Sequence, residues 1–91
     1  MNKEELRMLL IKKRIKESYY DLDGNAKNEA LILTAEDGNW CVYYSERGQQ
    51  SGKVCYGSED AACRGILDSL LEDPSARETY VPPPFVPSDK L

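Results

Sequence analysis

The chain has no histidine at all. That removes the commonest general base and the commonest metal ligand. It has no Gly-rich phosphate loop, no nucleophile elbow and no paired-metal spacing. Apolar runs are short; the longest near the start is Met8 to Ile11. Nothing therefore reads as a membrane span, and Glu4 and Glu5 stand where a secretion signal would be basic. The expected compartment is the cytoplasm. No cofactor and no metal is expected, and the chain is not read as an enzyme.

Cysteine is scarce too. Cys41, Cys55 and Cys63 form no Cys-x-x-Cys pair and cannot all pair within one chain. A zinc site of three thiolates would need a carboxylate as fourth ligand. A Cys41–Cys55 disulfide would need neighbouring strands and an oxidising address. A cytoplasmic address favours three reduced, largely buried thiols.

What is present suits one small soluble domain: 91 residues, 41% hydrophobic and 31% charged. The net charge of −4 is unevenly spread. Residues 1–16 carry six basic side chains against two acidic ones, and the rest carries six against fourteen. An acidic body disfavours nucleic acid and favours a basic protein partner. The basic cluster Lys12, Lys13, Arg14 and Lys16 suits a helix C-terminus, with phosphate binding as the sharper alternative.

Periodicity predicts an α+β fold. Asn2 and Glu5 match a capping box, opening a helix over residues 3–18 with Leu6, Met8, Leu9, Leu10, Ile11 and Ile15 on a broad apolar face. Tyr19–Leu22 reads as a short strand and Asp23-Gly24-Asn25 as a turn. Ala30–Ala35 and Trp40–Ser45 read as strands joined at 36–39, where Asp37-Gly38 is a hairpin signal. This pairing sets Ala35 opposite Trp40, Leu33 opposite Val42 and Leu31 opposite Tyr44. Leu31, Leu33, Trp40, Val42 and Tyr44 then share the helix-covered face. Ile32, Thr34, Cys41 and Tyr43 share the other. Residues 47–52 read as a polar connection and Lys53–Tyr56 as a fourth strand. Ser58 caps a second helix over 59–72, in which Gly65 allows close approach to the sheet, beside Trp40. The expected architecture is an N-terminal helix, an antiparallel three- to four-stranded meander and a C-terminal helix on one face. The domain spans 1–73.

Residues 74–91 read as a proline-rich tail, with Val81-Pro82-Pro83-Pro84-Phe85-Val86-Pro87 extended. Three readings stay open for it: a free tail, docking of Val81, Phe85 and Val86 on the domain, or a motif for another protein. The candidate partner-binding residues are Tyr43, Glu46, Arg47, Glu29 and Asp37. Tyrosine and arginine often dominate binding energy, and the acids suit a basic partner. Tyr43 reads equally as an ordinary cross-strand aromatic.

One stretch is distinctive. Trp40-x-Val42-Tyr43-Tyr44-Ser45-Glu46-Arg47-Gly48, then Tyr56, then Ser58-Glu59-x-Ala61-Ala62-Cys63, with Tyr20-x-Leu22 upstream, resembles small bacterial immunity proteins encoded beside polymorphic or contact-dependent toxin genes. Tyr56 stands where that family carries phenylalanine. The resemblance spans roughly residues 19–73. It implies a single-domain antitoxin that binds the cognate toxin's C-terminal domain and neutralises it by non-covalent occlusion. Many such toxins are basic nucleases, which suits the acidic body. The alternative is a non-enzymatic adaptor or regulatory interaction domain working through the proline-rich tail.

Overall fold

The computed structural model describes residues 1–80. Its elements run α1 (Lys3–Lys12), a 3₁₀ turn (Glu17–Tyr19), β1 (Tyr20–Asp21), β2 (Ala30–Glu36), β3 (Asn39–Glu46), β4 (Gln49–Tyr56), α2 (Glu59–Glu72) and a second 3₁₀ turn (Pro74–Ala76). The α+β class and the two flanking helices are as the pattern implied.

The sheet is mixed, not an antiparallel meander. Its order is β1-β2-β3-β4, and β1 runs parallel to β2 with Tyr20 beside Leu31 and Asp21 beside Ile32. A two-residue strand has too little length for its direction to show in a pattern. The β2–β3 register is the expected one: Ala35, Leu33 and Leu31 face Trp40, Val42 and Tyr44. The strands extend one pair further, to Glu36 and Asn39, around the two-residue turn Asp37-Gly38. Both turn residues have positive φ (50° and 81°), the pattern of a type I′ hairpin.

Arg47-Gly48 repeats this device at 52° and 78°. Residues 49–52 are therefore strand rather than connection, and β4 has eight residues. A turn after Glu46 is legible at Arg47-Gly48, but its length of two residues is not, because the polar run 49–52 shows no apolar alternation.

Helix α1 keeps its expected capping box but stops at Lys12, short of residue 18. Arg14 takes a left-handed conformation at φ 57°, and the chain turns so that Ile15 bridges to Arg77. Ile15 is buried by this route, not by helical periodicity. The inward stripe narrows to Leu6 and Leu10, while Met8 and Ile11 are 67% and 57% exposed. Against them pack Ala62, Cys63, Ile66 and Leu70 of α2, with Leu33 and Val42 from the sheet.

Gly65 faces Tyr56 rather than Trp40: a Cβ there would lie 2.5 Å from the Tyr56 hydroxyl oxygen. Among the described residues no helix is long and apolar enough to cross a membrane.

The other sheet face is not open. Ala30, Ile32 and Tyr43 form a small second cluster, each almost fully buried. The 22–29 connection folds back against it. Asp21 Oδ1 and Oδ2 accept the backbone N–H groups of Asp23 (2.9 Å) and Lys27 (3.2 Å). Gly24 sits against Thr34, and Asn28 Oδ1 accepts the Arg47 backbone N–H at 2.6 Å. Small clusters under a loop are a common satellite to the main core.

Two further expectations change. Cys41 and Cys55 are joined by a disulfide, so the chain does not carry three reduced thiols; Cys63 alone is free, and buried. The register sets Cys41 opposite Cys55 on neighbouring strands and so brings the two sulfurs within bonding distance. The domain also runs past residue 73. Ala76 is buried, the Lys16 N–H donates to the Ala76 carbonyl at 2.7 Å, and the Glu78 N–H donates to the Arg14 carbonyl at 2.7 Å. Residues 81–91, including Val81, Phe85 and Val86, lie outside the described residues.

Candidate functional site

Helix α2 leaves part of its sheet face uncovered: Tyr44 and Val54 are 36% and 50% exposed. Two hollows meet at Tyr44. The larger, about 390 Å³, has walls from Tyr19, Glu29, Asp73 and Ser75. The smaller, about 210 Å³, runs between α2 and β4 over Leu31, Val42, Val54 and Tyr56, beneath Gly65 and Ser69.

The larger hollow is wired together locally. Asp73 caps the 3₁₀ turn Pro74–Ala76, its Oδ1 accepting the Ser75 N–H (3.0 Å) and the Ser75 hydroxyl (2.6 Å). Aspartate before proline is a helical start, because proline has no N–H to leave unsatisfied. The Tyr19 hydroxyl donates to Ser75 Oγ at 3.1 Å. Lys16 Nζ lies 5.6 Å from the Tyr19 ring centre and 5.8 Å from that of Tyr80, which holds Tyr19 from behind.

The field at Tyr44 is negative. Partial desolvation pushes its phenol above the ordinary value, and the charges of Glu46 and then Glu29 push it the same way. Glu29 and Asp73 line the larger hollow and no basic side chain does. An aromatic ring edged by carboxylates suits an arginine or lysine side chain.

The expected site residues divide. Glu29 and Glu46 lie beside Tyr44. Arg47 sits in the β3–β4 turn, in a shallow depression with Glu46, Gln49 and Ser51. Asp37 occupies the turn at the other end of β3, roughly 23 Å away at the usual rise of a strand. Tyr43 is only 5% exposed, under the 22–29 loop, so its ring is part of the second cluster. The neighbouring tyrosine, Tyr44, is the aromatic at the surface. Tyr19, Asp73 and Ser75 were not anticipated, although Asp73-Pro74-Ser75 is a readable capping signature.

Cys63 offers no nucleophile. Burial raises its thiol above the ordinary range, and Glu59 adds to the effect. No protein-family model, curated protein or solved structure matches the chain.

Proposed function

We propose that this chain is an immunity protein that binds a basic toxin domain and neutralises it by occlusion, in the cytoplasm of the cell that makes it. The observation that carries the reading is Tyr44: a half-exposed aromatic between two hollows, with Glu29 and Glu46 beside it. The acidic excess of the body beyond residue 16 supports a basic partner, because matched fields speed encounter. The resemblance of residues 40–48 to immunity proteins supplies the class of partner. Tyr44 is the central anchor, and Glu29 and Glu46 set the charge preference.

The test is co-expression with the product of the neighbouring gene, which this reading requires to carry a toxin domain. Co-purification and rescued growth are expected. Tyr44→Ala should weaken the complex about 30-fold or more, as loss of a central aromatic anchor does. Glu46→Lys should slow association. Failure to co-purify with that neighbour, or full affinity in both variants, would overturn the proposal. An adaptor acting through residues 81–91 predicts instead that truncation after Tyr80 abolishes binding.

A further inference from the structure

We propose that the Cys41–Cys55 disulfide is a reducible latch on the edge strand, opening β4 while the helix-covered core stays folded. Strand β4 pairs with β3 alone, and every residue from Gln49 to Cys55 is exposed. Its ladder is interrupted. Between the pairs Val42–Val54 and Tyr44–Ser51 one β3 residue faces both Gly52 and Lys53, with Gly52 at φ 63°. Such a bulge splits the pairing into two short runs. The run Val54–Tyr56 therefore depends on a few links.

One is the disulfide. Its Cα atoms are 4.0 Å apart, the close spacing of a pair that exchanges no backbone hydrogen bonds. The sulfur bond links the strands where the ladder does not. A second is the Lys53–Glu36 ion pair, which reaches from β4 over β3 to β2. The third is Tyr56 against Gly65.

The two sulfurs are not equivalent. Cys55 is exposed and Cys41 is buried. An incoming thiolate therefore attacks Cys55 Sγ, and the Cys41 sulfur leaves as thiolate and takes up a proton. Cys63 packs in the core on the opposite face of the sheet and cannot resolve the mixed disulfide from within. The Cys41 thiolate opposite Cys55 can attack the mixed disulfide and re-form the original bond, so net reduction is favoured with a dithiol reductant, which outruns that return. Its second thiolate attacks the mixed disulfide, frees the Cys55 thiol, and leaves as a cyclic or intramolecular disulfide. Two protein thiols are gained for one reductant disulfide formed.

Neither Cys41 nor Cys55 belongs to the core cluster of Leu6, Leu10, Ile66 and Leu70. That is why the domain outlasts the latch. Val54 and Tyr56 line the smaller hollow, so opening β4 reshapes that side of the candidate site, while the larger hollow, which β4 does not line, keeps its walls. Only this consequence rests on the immunity reading.

The test is hydrogen exchange on the whole chain, oxidised and after dithiothreitol. Closing a loop of this length stabilises by an amount that corresponds to on the order of 100-fold in an opening equilibrium, so exchange across residues 53–56 should quicken up to that factor. Protection at Leu10 and Ile66 should not change. After reduction Cys55 should be alkylated at least tenfold faster than Cys41 or Cys63. Cys55→Ser should reproduce the reduced pattern without reductant. Unchanged exchange in β4, or loss of protection throughout both helices, overturns the latch. Binding of the toxin domain is measured separately in both redox states. A latch that opens with no toxin bound in either state leaves the latch standing and removes the immunity reading; binding with no opening does the reverse.

Discussion

Asp21 is a buried carboxylate that receives two backbone N–H groups and thereby folds the 22–29 connection onto the sheet. Asp21→Ala leaves both donors without that acceptor and should cost about 2–3 kcal/mol, read from the urea midpoint. Asp21→Asn keeps one carbonyl acceptor and should cost about half as much. Tyr44 is diagnostic in another way. Its phenol is raised by partial desolvation and then by Glu46 and Glu29. Replacing either glutamate by glutamine removes a charge that disfavours phenolate, so Tyr44 should ionise at lower pH in Glu46→Gln and Glu29→Gln. Phenolate absorbance against pH measures this. The sign for stability follows: a folded pKa above the unfolded 10.0 means the folded state holds its proton longer, and stability declines as pH rises past about 10.

At the scale of elements, α2 and β4 meet at a point with no room to spare. Gly65 in mid-helix forgoes about 1 kcal/mol of helix propensity relative to alanine. A methyl group there would collide with the end of the Tyr56 ring. The two effects oppose, and a double-mutant cycle separates them. Gly65→Ala alone should be neutral or destabilising; in a Tyr56→Ala background it should stabilise by about 1 kcal/mol, by thermal unfolding of all four proteins.

The same elements mark the limit of what sequence pattern discloses. Alternation in Ala30–Ala35 and Trp40–Ser45, together with the Asp37-Gly38 turn, was sufficient for the central register, because a one-residue slip would expose the whole apolar set. It also placed Tyr43 and Tyr44 on opposite faces. It could not show that a loop would bury Tyr43, or that α2 would leave Tyr44 partly uncovered, since both depend on how neighbouring elements pack. The parallel pairing of Tyr20-Asp21 and the bulge at Gly52 are contacts distant in sequence, with no local period to announce them. Glu29 and Glu46 were legible as acids near the hairpin. Asp73 and Ser75 were not, because a chain ending its helix at Pro74 reads as departing from the domain.

Over the whole molecule, that segment closes the fold. Residues 74–80 return to the start of the chain, where Ile15 bridges to Arg77 and Lys16 and Arg14 exchange backbone hydrogen bonds with Ala76 and Glu78. They also carry Ser75, which holds Tyr19 at the larger hollow. Two truncations separate these roles from residues 81–91. Ending the chain after Asp73 removes both backbone bonds at about 1 kcal/mol each and uncovers the apolar surface beneath Ala76, a loss of about 2–4 kcal/mol in all. Ending it after Tyr80 keeps every one of these contacts. The shorter protein should melt lower and lose partner binding together, because Tyr19 and Tyr44 no longer share a wall. The longer one should match the full chain in both. If the shorter protein binds as tightly as the full chain once corrected for its unfolded fraction, the larger hollow is not where the partner sits, and the contact must lie along Val54 and Tyr56 alone.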